Sequence, residues 1–230
     1  MNNQLMPKVK ICGKCTLSRS CLKGCQERKL PTRSHRVYHR GMTLYSEGDN
    51  FDALFMLSSG SAKSFITTLN GHEQIANFHF PNSLIGLEGF NDMVHAHSLT
   101  FLETSSVCRI NLQEFYRAMG DSGFVQAQLL KSMSHSIIDE QQLLLSIVQH
   151  NAEQRLVKFL LNLSEKYHQN SLSYLVFNLT MTRIDIANYL GMAIETISRL
   201  LTKMHSQGII KVNNRQITLC NIKHLKESLQ

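Results

Sequence analysis

Residues 180–212, TMTRIDIANYLGMAIETISRLLTKMHSQGIIKV, constrain the chain more than any other stretch. The pattern predicts a helix from Arg183 to Leu190 that must stop at Gly191, because a glycine there takes the left-handed turn at little steric cost. A second helix is expected from about Ile194 to Gln207, with Gly208 as its C-cap. Two helices joined by a short glycine turn form a helix-turn-helix. On the second helix, Ile194, Ile197, Leu201 and Met204 share one face and can be buried. Glu195, Ser198, Arg199 and Thr202 share the other, at the i, i+3, i+4, i+7 spacing of a helical stripe. The next residues, IIKV and RQITL around Asn213-Asn214, read as a β-hairpin and make the unit winged.

That polar stripe begins at the helix N-terminus, where a recognition helix presents side chains to base edges in the major groove. Arg199 can bind guanine O6 and N7 bidentately, Glu195 can accept from a cytosine amine, and Ser198 can serve either role. A carboxylate on the stripe repels phosphate, so Glu195 favours base readout over non-specific grip, although an acidic residue in a first helical turn also suits the helix dipole. Arg183 and Lys203 are assigned to phosphates. Thr182 and Thr196 complete the candidate DNA-binding set. The net charge of +7 and pI near 9.2 agree with a polyanionic partner, double-stranded DNA first.

Upstream, GMTLYSEGD, FDALFMLSSGSAKSFITTLNG and HEQIANFHF carry β-branched and aromatic residues between turn residues. Gly48-Asp49, Ser59-Gly60 and Asn70-Gly71 are the expected turns, and the spacing predicts a small barrel or roll. Then FVQAQLLKSMSHSIIDEQQLLLSIV reads as one long helix. Leu130, Met133, Ile137, Glu140, Leu144 and Ile147 alternate steps of three and four along it, the a/d seam of a coiled-coil dimer. Asn151 is the expected N-cap of a further helix, NAEQRLVKFLLNLSEKY. The map is therefore a cysteine-rich arm at 1–35, a β-rich domain at 36–120, a dimerisation helix at 121–150 and a DNA-binding domain at 151–230.

The 43% hydrophobic content over 230 residues supports packed domains. No apolar run spans a bilayer, and MNNQLMPKVK has no secretory h-region, so a cytoplasmic protein without a membrane partner is expected. In that reducing setting, clustered cysteines are metal ligands or redox groups before they are disulfides. Cys12, Cys15 and Cys21 sit in C-x2-C-x5-C and need a fourth ligand. Cys25 would close a local all-cysteine zinc site. Soft thiolates suit zinc and iron–sulfur alike. Cys220 is expected to pack in the wing strand, and His95 and His97 to edge a strand at the surface. No nucleophile elbow, P-loop or HExxH stretch is present, so an enzyme is not expected.

CGKCTLSRSC, GDNFDALFMLSSGSAKSF, GHEQIANFHFPNSLIG, ETSSVC, NAEQRLVKFLLNLS and LTMTRIDIANYLGMAIETISRLL together resemble the CRP/FNR superfamily of bacterial transcription regulators, and its fumarate and nitrate reduction regulator (FNR) branch most closely. The resemblance covers nearly the whole chain. It implies an α+β fold: an N-terminal β-roll of the cyclic-nucleotide-binding kind, a long dimerisation helix and a C-terminal winged helix-turn-helix. It implies a 4Fe–4S cluster held by Cys12, Cys15, Cys21 and Cys108, with Zn as the alternative metal and Cys25 as the alternative fourth ligand. It further implies an oxygen-responsive homodimer that binds TTGAT-N4-ATCAA-like palindromes and works with RNA polymerase, mainly as an activator of anaerobic genes. Lys14, Arg19, Lys23, Arg28 and Lys29 would offset the negative charge of such a cluster. The chain departs from the family between Cys21 and Gly41, where a short basic segment broken by Pro31 replaces an acidic helix. The nearest rival, a regulator that responds to a cyclic nucleotide, needs an arginine for the cyclic phosphate, and SLIGLEGFNDMVHAHSLTF contains none.

Overall fold

The computed structural model describes residues 35–121, 123–170 and 173–229. Cys12, Cys15, Cys21 and Cys25 lie outside the described residues. The chain divides into two compact units, residues 1–66 with 78–136 and residues 67–77 with 137–230.

The first unit is built on two four-stranded antiparallel sheets. One runs in the order β1 (His35–Tyr38), β8 (Ser105–Asn111), β3 (Ala53–Ser59), β6 (Leu84–Ile85). The other runs β2 (Thr43–Tyr45), β7 (Ser98–Phe101), β4 (Ala62–Thr67), β5 (Glu73–His79). Alternation along β3 sends Ala53, Phe55 and Leu57 into a core with Tyr45, Ile85, Leu99, Phe101 and Val107. Leu54 points the other way, into a second core with Phe51, Leu112, Phe115 and Val125. The run ALFML is therefore apolar on both faces, as a central strand requires. Gly60 sits at φ 86, and a Cβ there would collide with Ser105, so the β3–β4 turn admits only glycine without rearrangement.

Two elements interrupt the expected all-strand stretch. Leu87–Phe90 forms a 3-10 turn, and Leu112–Asp121 forms helix α1, whose Leu112 and Phe115 anchor the second core. The long helix α2 runs Gly123–Gln149. Val125 of its first turn belongs to the second core with Leu54, and Leu129 and Ile110 pack against that core.

In the second unit, Asn151 caps helix α3 (Ala152–Gln169) through a reciprocal capping box with Gln154, the arrangement that satisfies orphan N–H groups. Leu156, Val157, Leu160 and Leu163 are its buried stripe. Helices α4 (Arg183–Leu190) and α5 (Ile194–Ser206) follow, with Gly191 between them at φ 63. Gln207 is the C-cap of α5 and Gly208, at φ 69, is the residue after it. The wing is a three-stranded sheet in the order β10 (Ile210–Asn213), β11 (Gln216–Leu219), β9 (Val176–Asn178), and α6 (Ile222–Glu227) follows it. Asn213 pairs with Gln216, so the turn is Asn214-Arg215 rather than Asn213-Asn214, and Asn214 takes the positive φ of 53. The hairpin tip at residues 67–77 groups with this unit. There the Asn188 side chain accepts from the Ile75 N–H at 2.7 Å and donates to the Glu73 carbonyl at 2.7 Å.

Candidate functional site

Burial splits α5 along the expected line. Ile197, Leu201 and Met204 are buried together with Leu200, and Ile194 is half-buried. Glu195, Arg199 and Thr202 are exposed, and Ser198 and Thr196 are half-buried. The Thr202 hydroxyl donates to the Ser198 carbonyl at 3.0 Å, and Glu195, Ser198 and Arg199 lie on the same stripe. Thr182 is the N-cap of α4. Its hydroxyl donates to Asp185 Oδ2 and its backbone N–H donates to the same carboxylate, so its first task is structural. Arg183, beside it, is exposed at the start of the helix. Lys203 Nζ lies 2.6 Å from Glu153 Oε2 on α3, an exposed pair that phosphate would have to displace.

Helix α3 connects the long helix to the reading helix within this unit. The Arg155 guanidinium donates to the carbonyls of Ile147 at 2.6 Å and His150 at 3.0 Å, at the end of α2, and to that of Leu190 at the end of α4. It thereby satisfies carbonyls that helix termini leave without partners. Lys166 pairs with Asp139 at 2.8 Å. Asp139 and Glu140 also stand close to Tyr189. Burial first, and then these two carboxylates, push the Tyr189 phenol up to about 12.

The seam residues of α2 lie bare. Leu130 is 67%, Ile137 54% and Leu144 63% exposed. Glu140 is exposed between them, Met133 and Ile147 are half-buried, and Val148 extends the stripe. A helix face this apolar and this open is built to be covered.

Cys108 lies in β8, half-buried, on the sheet face opposite the inward Val107. Its register neighbours are His35 on β1 and Met56 on β3. Two residues along the same face is Ile110, which packs against the second core, to which Val125 of α2 belongs. Among the described residues no group of three His, Cys, Asp or Glu side chains is placed to hold a metal, so a centre at Cys108 needs the arm. The surroundings suit a soft, negatively charged centre. Both register neighbours are soft or nitrogenous, and neither is a carboxylate. The arm runs directly into β1, and Cys21 precedes His35 by fourteen residues, a reach of up to about 46 Å. Cys220 is exposed just beyond β11 instead of packed within it.

The roll interior contains a polar group that the sequence assigned to the surface. His95 is 2% exposed, lies on Tyr45 with ring centroids 3.6 Å apart, and bonds Glu88 through Nδ1 at 3.1 Å. The residue is apolar-faced and follows a turn, so only its tertiary neighbours could have revealed its burial. Burial alone would raise the Glu88 carboxyl, but the His95 hydrogen bond, a backbone amide and the charges of His95 and His97 outweigh it and hold the group below its ordinary value. Burial, with Glu88 second, holds the Tyr45 phenol well above its ordinary range. His97 is half-buried.

Residues 154–228 match the Crp-like helix-turn-helix domain and residues 35–122 the cyclic nucleotide-binding domain. The chain is 35% identical over 228 residues to the anaerobic regulatory protein of Aggregatibacter actinomycetemcomitans, covering 94% of this chain and 86% of that one. It is 35% identical over 222 residues to the fumarate and nitrate reduction regulatory protein of Escherichia coli K12, covering 91% and 86%. The solved structure of FixK2 from Bradyrhizobium japonicum superposes with a TM-score of 0.78 at 25% identity, over 86% of this chain and 97% of that one. Both sequence relatives are named as regulatory proteins. No described helix is long and apolar enough to cross a membrane.

Proposed function

We propose, since the chain belongs to the CRP/FNR superfamily of transcription regulators and to its FNR branch, that this DNA-binding regulator responds to oxygen through a 4Fe–4S cluster on Cys12, Cys15, Cys21 and Cys108. It acts as a homodimer on TTGAT-N4-ATCAA-like palindromes in the cytoplasm, with RNA polymerase as its partner and activation of anaerobic genes as its main output. The observation that carries the reading is the position of Cys108. It stands next to the strand that follows the cysteine-rich segment in the sequence, and two residues from Ile110, which packs against the core that holds Val125 of α2.

When bound, the cluster supplies a cross-link between arm and roll that oxygen removes. The chain's own residues do the rest. Ile110, Leu54, Val125 and Leu129 join the Cys108 face to the first turns of α2. Leu130, Ile137 and Leu144 offer the seam to a second copy, and Glu140 opposes it, because two facing carboxylates on a seam repel and must be desolvated. Arg155 and Lys166 carry the position of the α2 C-terminal half to α3, and Glu153 carries it to Lys203 on α5. Arg199, Glu195 and Ser198 then read one half-site, with Arg183 and Lys203 on phosphates and Thr182 and Thr196 nearby. A dimer reads both half-sites, and a monomer loses half of the contact.

Band-shift titrations on a TTGAT-N4-ATCAA duplex and on a scrambled duplex, with anaerobic and with aerated protein, test this. Tight, sequence-selective binding that air abolishes is the expected result. Equal binding before and after air would contradict it.

A further inference from the structure

Lys203 lies in the last turn of α5 and Glu153 in the first turn of α3, fifty residues earlier in the chain. The Lys203 ammonium donates to Glu153 Oε2 at 2.6 Å, a short, charge-assisted hydrogen bond. Among the described residues neither side chain has a second partner. The capping box of Asn151 and Gln154 fixes the first turn of α3, so Glu153 stands at a set place beside α5. An acid at a helix N-terminus and a base at a helix C-terminus each suit the dipole of their own helix, so both charges are held where they are. Lys203 also continues the line of Glu195 and Arg199 at steps of four along the reading helix. The pair is open to an incoming phosphate, with Lys203 48% and Glu153 37% exposed.

We propose that Glu153 is a positioning residue for DNA binding: its carboxylate holds Lys203 in place of a phosphate and so withholds one cation from the DNA backbone. The inference rests on the reading of α5 as the helix that meets DNA. A pair of net charge zero brings nothing to the duplex that displaces a condensed counterion, whereas a lone ammonium displaces about one. The sequence-independent grip is therefore weaker by one contact. Glu195, Ser198 and Arg199, which face bases in that reading, are left as they are.

The test uses the full chain purified without air, as wild type, Glu153→Gln, Lys203→Ala and the double variant. Kd is read on the TTGAT-N4-ATCAA duplex and on the scrambled duplex over a series of salt concentrations, beside the melting temperature. Glutamine keeps the size of Glu153 and removes its charge. Glu153→Gln should bind both duplexes about fivefold more tightly at about 0.15 M salt and steepen the slope of log K against log salt by about 1. Its melting temperature should hardly move, since a half-exposed ion pair contributes little to stability. In the Lys203→Ala background the same change should do little, because an unpaired exposed carboxylate turns to solvent and is screened. Wild-type affinity and slope in Glu153→Gln, with the wild type binding DNA, overturn the role of Glu153 and leave the DNA reading standing. An equal gain with and without Lys203 overturns it in favour of a general charge effect. Weaker binding together with a lower melting temperature overturns it in favour of a structural role. A wild-type chain that binds neither duplex overturns both.

Discussion

His95 lies flat on Tyr45 inside the roll, 10° from parallel, with its Nδ1 held by Glu88. An imidazole, a phenol and a carboxylate therefore meet at one side of the roll's apolar core. A cyclic nucleotide would bring a phosphate to a carboxylate, with no arginine anywhere in residues 83–101. The chain shares the roll of cyclic-nucleotide-binding domains, and residues 83–101 offer no guanidinium for a cyclic phosphate. Titration calorimetry with cyclic AMP should show no saturable heat, and the melting temperature should not move. Saturable binding at micromolar concentration would refute this.

The same pair makes a pH prediction. The Glu88 carboxyl is held below its ordinary value, so the stability it contributes is present above the unfolded carboxylate value of about 4.3 and is lost as pH falls through the lower folded value. Thermal melts should therefore hold steady from neutral pH down to about pH 5 and fall below it. Glu88→Gln should flatten that acid limb. An unchanged limb would mean that other carboxylates set it.

Arg199 and Arg183 should separate in DNA binding. Arg199→Ala should cost about 1–3 kcal/mol and relax preference at one base pair of each half-site. Arg183→Ala should weaken all sequences equally and lower the salt slope by about 1. Lys203→Ala should do less than Arg183→Ala, since Lys203 is already paired with Glu153. Competition assays over a library of single-base variants read all three. Uniform loss in Arg199→Ala would remove it from base readout.

The seam predicts opposite outcomes for two neighbours. Leu144→Glu places a charge on an exposed apolar position and should leave anaerobic protein monomeric. Glu140→Ala removes the repulsion and should dimerise and bind DNA even in air. Sedimentation velocity distinguishes the two. A Glu140→Ala protein that stays monomeric in air, with no gain in DNA binding, would show that the carboxylate is not what opposes assembly.

What the sequence made legible follows from how local each signal is. Helices α4 and α5 and their glycine stop were readable because periodicity and capping lie within a few residues of each other. The wing turn was displaced by one residue because either asparagine can take the left-handed conformation, and only the Asn213–Gln216 pairing decides between them. Helix α1 was missed within a strand-rich stretch, since ten residues of mixed polarity carry little signal of their own. The burial of His95 and the hydrogen bond of Asn188 depend on partners 7 and 113 residues away, Glu88 and Ile75. Cys108 was readable as a candidate ligand, whereas its register opposite His35 was not.

The central claim is the cluster. Iron, acid-labile sulfide and zinc per chain should be measured on protein purified without air, with a visible spectrum before and after exposure, for wild type and Cys108→Ser. The account predicts about four iron and four sulfide per wild-type chain, colour that bleaches in air, and loss of both in Cys108→Ser. Stoichiometric zinc with no sulfide and no colour, retained in Cys108→Ser, would contradict it and would mean that Cys12, Cys15, Cys21 and Cys25 close a structural site without Cys108.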